Sequence, residues 1–296
     1  MKTVHASRRK QLAVRTRHDL TCAFSPDRKS FATGVVGTTV RLWNAASAEM
    51  VRQLEGHTER VWGIAWSSDG QQLLSGSFDN TARHWDVATG ACLQVLEGHR
   101  GFVRALAFSS DNRHAITASG DRTVRIWDLA SSRTMCVCEG HTDGAYAAVF
   151  GPERTQAVSG SRDGTIRLWN TTSGECIRTI YAHRTHVQHL EWDPDEKHLL
   201  SCSLHIRLWD VSSGACLKEM TGHTDTVRSA HFSPDGRFII SASHDRTARV
   251  WDARSAQCVA VLAGHGGMLV DAHWSAGEQE IISSDEEGEV RYWPWG

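Results

Sequence analysis

Residues 56–86 read GHTERVWGIAWSSDGQQLLSGSFDNTARHWD. Polar and apolar residues alternate with a period of two over Val61 to Ser67, Gln71 to Ser77 and Thr81 to Asp86, and again beyond the quoted stretch over Ala91 to Leu96. That period marks half-buried strands, and the runs are too short for helices. Between them stand Ser68-Asp-Gly, Phe78-Asp-Asn and Ala88-Thr-Gly, whose Gly, Asp and Asn favour chain reversals. The stretch therefore predicts a four-stranded antiparallel sheet, which cannot bury both of its apolar faces alone.

The same text recurs along the chain. Tryptophan stands at 43, 85, 127, 169, 209, 251 and 293, at steps of 42 residues except for one of 40. Ten residues before each, or eight in the shortened fifth unit, comes Thr33, Ser75, Thr117, Ser159, Ser201, Ser241 or Ser283. An aromatic column, Phe24, Trp66, Phe108, Phe150, Trp192, Phe232 and Trp274, holds the same register. A fixed period of this length means a repeat architecture whose units bury one another's faces. Seven four-stranded antiparallel units stacked about an axis form an all-β, seven-bladed β-propeller, expected to be a single domain over 1–296. The last unit lacks a fourth strand at its C-terminal end, so the register assigns one from the front. Arg8 to Val14, with Leu12 in the apolar position, is expected to pair with the last blade and close the ring.

Composition narrows the function. Of 296 residues 40% are hydrophobic and 22% charged, as in ordinary globular proteins. Lys plus Arg (32) nearly balance Asp plus Glu (34), so the net charge of -2 gives no general attraction to nucleic acid or anionic membranes. No signal core and no membrane-length apolar run is present, and the expected location is cytoplasmic. Of the eight cysteines, Cys92, Cys176, Cys216 and Cys258 each follow a repeat Trp by seven residues, and Cys136 and Cys138 alternate on one strand. All are expected to be structural strand residues, the first four buried, with no metal bound. No phosphate-binding loop, metal-binding helix or Cys-x-x-Cys pair occurs, and because seven units fill the sequence, no appended domain or lid for catalytic machinery is expected.

The chain resembles the WD-repeat family over essentially its whole length. Gly-His occurs at 56–57, 98–99, 140–141, 222–223 and 264–265, with Ala182-His183 as a variant. Trp-Asp closes units at 85–86, 127–128, 209–210 and 251–252. The resemblance implies a hydrogen-bonded tetrad in each blade. Complete sets are His57, Ser75, Asp79, Trp85; His99, Thr117, Asp121, Trp127; His141, Ser159, Asp163, Trp169; and His223, Ser241, Asp245, Trp251. The first unit offers Arg15, Thr33, Gly37 and Trp43, the fifth has lost the turn Asp, and the last carries Glu287 in its place, so these three blades are expected to be softer. A Ser, His and Asp together can also build a hydrolase nucleophile. Repetition of the set, each time with a Trp suited to burial, argues for architecture instead.

What the family implies for function is a protein-interaction scaffold or adaptor, with no catalysis, no cofactor and no metal, and a monomeric propeller working within a larger complex. Its partner, a protein or peptide, would dock on the central face. The family's geometry places on that face Trp62, Arg104, Tyr146 and Arg228 from the inner strands, Phe78, Arg162 and His244 before the turn Asp, and Arg60, Phe102 and His186 three residues after the repeat His. Trp, Tyr and Arg are the side chains that dominate protein-binding hot spots. Trp62 and Phe78 could instead simply pack on each other. Two rivals stand beside the scaffold. A channel enzyme would need Asp, Glu or His side chains converging on the axis, where the inner strands are read as aromatic, aliphatic and arginine. A nucleic-acid binder suits the aromatic and arginine mixture but not the net charge. The acidic run 278–289 is expected to be a solvated edge, a site for a basic partner being the alternative.

Overall fold

Each blade is folded by local turn chemistry. In the second, Ser67 Oγ donates to Asp69 Oδ1 at 2.6 Å, the same carboxylate oxygen accepts Gln71 N at 2.9 Å, and Gly70 takes φ +69. The reversal between strands Val61–Trp66 and Gln72–Ser77 is thereby closed without any tertiary contact. Ser25 with Asp27, Ser109 with Asp111 and Ser233 with Asp235 repeat it. At the next reversal but one, Asp86 Oδ1 accepts from Thr89 N and Thr89 Oγ1.

The computed structural model describes residues 2–4, 8–11, 21–34, 37–47, 49–152, 155–275 and 279–295. They form seven antiparallel blades, the β-propeller class, and no helix long and apolar enough to cross a membrane occurs among them. By contacts the chain divides into two compact units. Thr21–Val187 holds the first four blades, and Gln188–Gly296 with the N-terminal strands holds the remaining three. The second blade is typical, with strands Val61–Trp66, Gln72–Ser77, Ala82–Asp86 and Cys92–Leu96.

The N-terminal clasp is present for Arg8–Gln11, which pairs antiparallel with Glu289–Pro294 from Arg8↔Tyr292 to Gln11↔Glu289. Residues 12–14 of the expected strand, Leu12 among them, lie outside the described residues, as does Arg15. A strand not foreseen in the sequence, Lys2–Val4, pairs in parallel with Cys258–Ala263 and makes the sixth blade five-stranded.

The core lies between successive blades. Leu74, Ala82 and Leu96 of the second blade pack with Val103, Leu106, Ala115 and Trp127 of the third. The repeat Trp of one blade thus fills the space against the blade before it, and Trp85, Trp169, Trp251 and Trp293 do the same. Close approach needs glycine where backbones meet. A Cβ on Gly63 would stand 2.3 Å from Arg104 O, and one on Gly76 2.7 Å from Val103 O. Trp295, which the repeat leaves unexplained, stacks its edge on Phe238 and Trp274.

The cysteine expectation is corrected here. Cys92, Cys176 and Cys216 are exposed on outermost strands that have one hydrogen-bonded neighbour and turn alternate side chains to solvent, whereas Cys258, whose strand also pairs with Lys2–Val4, is half-buried. Cys136 and Cys138 are buried.

Candidate functional site

The tetrads come first, since they hold the loops that carry everything else. In the second blade Trp85 Nε1 donates to Ser75 Oγ at 2.8 Å, Ser75 Oγ lies 2.7 Å from His57 Nε2, and His57 Nδ1 lies 2.7 Å from Asp79 Oδ2. With the imidazole N–H given to the ionised carboxylate, Nε2 accepts from the serine and each polar group is satisfied. The third, fourth and sixth blades repeat the chain of bonds within 2.7–2.9 Å. Asp163 shows the electrostatics. Burial alone would raise its carboxyl, but bonds from Thr165 and from the Thr142 and Thr165 backbone outweigh it and hold it at about 2. Burial pushes His141 down, so the pair is a neutral imidazole on a carboxylate. Ser75, Ser159 and Ser241 are fully buried and accept a Trp N–H, which excludes a nucleophile's role for them.

The seventh blade departs from its expectation. Its set is complete, but Asp285 rather than Glu287 takes His265 Nδ1, at 2.9 Å, with His265 Nε2 2.7 Å from Ser283 Oγ and Trp293 Nε1 donating to the same oxygen at 2.8 Å. Asp285 comes two residues earlier than its counterparts and reaches the same imidazole from the end of strand Glu280–Asp285. The blade is therefore not soft for want of a carboxylate. The acidic run is likewise not simply a solvated edge: Ser283 to Asp285 are buried, and Glu289 pairs with Arg291 at 3.0 Å. In the first and fifth blades Trp43 donates to Thr33 and Trp209 to Ser201, each at 2.8 Å.

Within Thr21–Val187 the tetrad-anchored loops, with Phe78 and Phe102, and the starts of the inner strands, with Trp62 and Tyr146, lay aromatic rings side by side. Phe78 N donates to Arg60 O at 2.9 Å, Gly120 N to Phe102 O at 2.9 Å and Arg162 N to Gly144 O at 2.8 Å, so one backbone bond per blade sets the rim. Ring centroids of Trp62 and Phe78 are 4.9 Å apart, Phe78 and Phe102 5.0 Å, Trp62 and Phe102 5.8 Å, Phe102 and Tyr146 6.3 Å, and Tyr146 and His186 6.3 Å. Arg60 Cζ stands 4.7 Å over Trp62, and Arg104 Cζ 4.1 Å over Tyr146, in cation–π geometry. Arg104 also donates to Tyr146 O at 3.0 Å. Trp62 and Phe78 do pack on each other, yet the rings of this belt remain half-buried and reach across three blades. The indole N–H of Trp62 is buried without a hydrogen-bond partner among the described residues. Glycine makes the room: a Cβ on Gly120 would meet the Phe102 ring at 2.5 Å. Arg162 is more than half exposed and pairs loosely with Asp143 at 3.6 Å. Arg228 and His244 belong to the other unit, where Arg228 donates to Gln188 Oε1 at 3.2 Å and His244 N to Thr226 O at 2.9 Å.

In that other unit the inner strands correct a second expectation, for they carry neither aromatic nor aliphatic residues at two repeat positions. His189 and Glu191 on His189–Trp192, Ser229 and His231 on Val227–Phe232, and Asp271 and His273 on Leu269–Trp274 converge. His231 Nδ1 lies 2.5 Å from Glu191 Oε2 and its Nε2 3.1 Å from Asp271 Oδ1. Asp271 also accepts from Ser229 Oγ at 2.7 Å and from Ala272 N at 2.9 Å, and lies 2.8 Å from His273 Nε2. Burial alone would lower His231, but Glu191 and Asp271 outweigh it and push it up to about 10. Burial and the neighbouring His231 hold His189 down at about 4. The repeat register held the signal: reading columns six and eight residues after the repeat His would have found these residues.

Residues 9–44, 48–86, 90–128, 132–170, 174–210 and 214–252 each match the family model described as WD40: WD domain, G-beta repeat, and together they make up more than half of the chain. No curated protein sequence matches it significantly.

Proposed function

Because the chain belongs to the WD-repeat family, we propose that it is a non-catalytic interaction scaffold that docks a protein or peptide on the belt of Trp62, Phe78, Phe102 and Tyr146 in the Thr21–Val187 unit. The observation that carries this reading is the belt itself. Large rings left half-exposed and held rigid by tetrad-anchored loops supply contact area at little entropic cost, flanked by arginines. Arg60, Arg104, Arg162 and His186 border it within the same unit, and Arg228 and His244 are proposed as partner contacts of the other unit taken by itself. The tetrads serve as supports. Eight free thiols suit a reducing, cytoplasmic setting.

The test compares affinity capture from native lysate by the parent chain and by a folded Trp62→Ala, Phe78→Ala, Tyr146→Ala variant. Specific partners are expected to be lost from the variant at unchanged circular dichroism. Identical capture by both forms would move the docking site elsewhere, and salt-sensitive capture of nucleic acid alone would favour the nucleic-acid reading.

A further inference from the structure

Three groups of described residues bring metal-ligating atoms within 4.8 Å of one another: His189, Glu191 and His231; His231, Asp271 and His273; and His265, Asp285 and Glu289. The last is a blade tetrad, its atoms taken up by Ser283, Arg291 and backbone N–H groups. In the second, Asp271 is saturated by Ser229, Ala272, His231 and His273. The first differs. His189 Nδ1 is buried and has no hydrogen-bond partner among the described residues. Glu191 gives Oε1 to Phe232 N at 3.0 Å and presents Oε2 to His231 Nδ1. Two residues apart on one strand, His189 and Glu191 share a face.

We propose that His189, Glu191 and His231 form a binding site for a divalent transition-metal ion of the zinc class, with Asp271 as the outer carboxylate that orients His231. Two imidazoles and a carboxylate are ligands of borderline softness that suit such ions and leave a coordination position open. Bonds of about 2.0–2.2 Å ask neighbouring ligand atoms to stand roughly 3.3 Å apart, a small adjustment of the present cluster. The metal takes the place of the proton on Nδ1, which leaves to solvent, and His231 keeps its Nε2–H on Asp271, which Ser229 and His273 already hold; this is the carboxylate–histidine–metal relay that fixes ligand orientation. The fold does not require these side chains. Equivalent positions in the first four blades are Thr21 and Ala23, Gly63 and Ala65, Ala105 and Ala107, Ala147 and Val149.

The test uses the full chain, stripped of metal by a chelator, with exposed Cys92, Cys176 and Cys216 changed to Ser so that surface thiols cannot contribute. Titration with Co2+ should show one saturable site without thiolate charge-transfer absorption, and Zn2+ should displace the ion. His189→Ala and Glu191→Gln should weaken binding at least about tenfold, and Asp271→Asn roughly 10- to 100-fold. His189→Ala removes a ring 4.8 Å from that of His231, so its melt without metal is recorded beside the parent's and binding is compared only in the folded variant. Should a variant misfold, paramagnetically shifted imidazole resonances in the Co2+ form of the parent chain report the same ligands without mutation. No saturable uptake, undiminished affinity in folded His189→Ala, or a parent spectrum without shifted imidazoles overturns the proposal.

Discussion

The inner strands of the two units occupy the same place in the repeat and carry opposite chemistry. In the four-blade unit the columns that pair with the second strand at Gly63↔Gly76 and Ala65↔Leu74 hold small side chains, and the large rings gather instead in the belt of Trp62, Phe78, Phe102 and Tyr146. In the three-blade unit the same columns hold His189, Ser229 and Asp271, then Glu191, His231 and His273. A repeat therefore specifies backbone and core, and leaves particular columns open to chemistry wherever neighbouring backbones leave room.

The largest expected effect breaks the charged side of this comparison. Asp271→Ala should cost about 3–5 kcal/mol, since it strands the histidines that the buried carboxylate holds; a melt within a degree or two of the parent would show that the network adds nothing. Next comes Gly63→Ala, with a Cβ facing Arg104 O at 2.3 Å, expected to cost about 1–3 kcal/mol. If it is neutral, crowding is not what keeps that column small. Gly120→Ala should displace the Phe102 ring and weaken partner capture about tenfold with a smaller loss of stability.

Acid should act on both units through the tetrads. His141 is held below its ordinary 6.5 in the folded chain, so the unfolded chain binds more protons below that value and stability falls as pH drops through it. Asp163, ordinarily 3.8 and held at about 2, withdraws its share as pH falls between those values. Melting temperatures followed downward from neutrality should decline in those two windows, and a flat profile to the lower one would contradict the neutral-imidazole assignment. The smallest effect is Cys92→Ser, expected within about 0.5 kcal/mol because the thiol is exposed.

Much of this was legible in the sequence. The strands of the second blade fall within one residue of their alternating runs, because turn residues such as Asp69 and Gly70 act locally. Register alone put Trp62, Phe78, Phe102 and Tyr146 in one group, and their rings do meet. Asp285 could not be chosen over Glu287 by spacing, since either carboxylate could be thought to reach His265 until the turn was folded. Period two gives alternation without saying which strand lies outermost, so the exposure of Cys92, Cys176 and Cys216 is not legible in it.

What the sequence by itself determined was the periodic frame: seven Trp-anchored units, the strands and turns of the repeat, and the Ser or Thr, His, Asp and Trp sets of the second, third, fourth and sixth blades, all consequences of local chemistry repeated at fixed spacing. Only the tertiary structure decided which unlike side chains meet. His189, His231 and Asp271 stand about forty residues apart, and hydrogen-bond distances among such residues exist because successive blades lay equivalent strand positions beside one another, an adjacency that no spacing within one blade expresses.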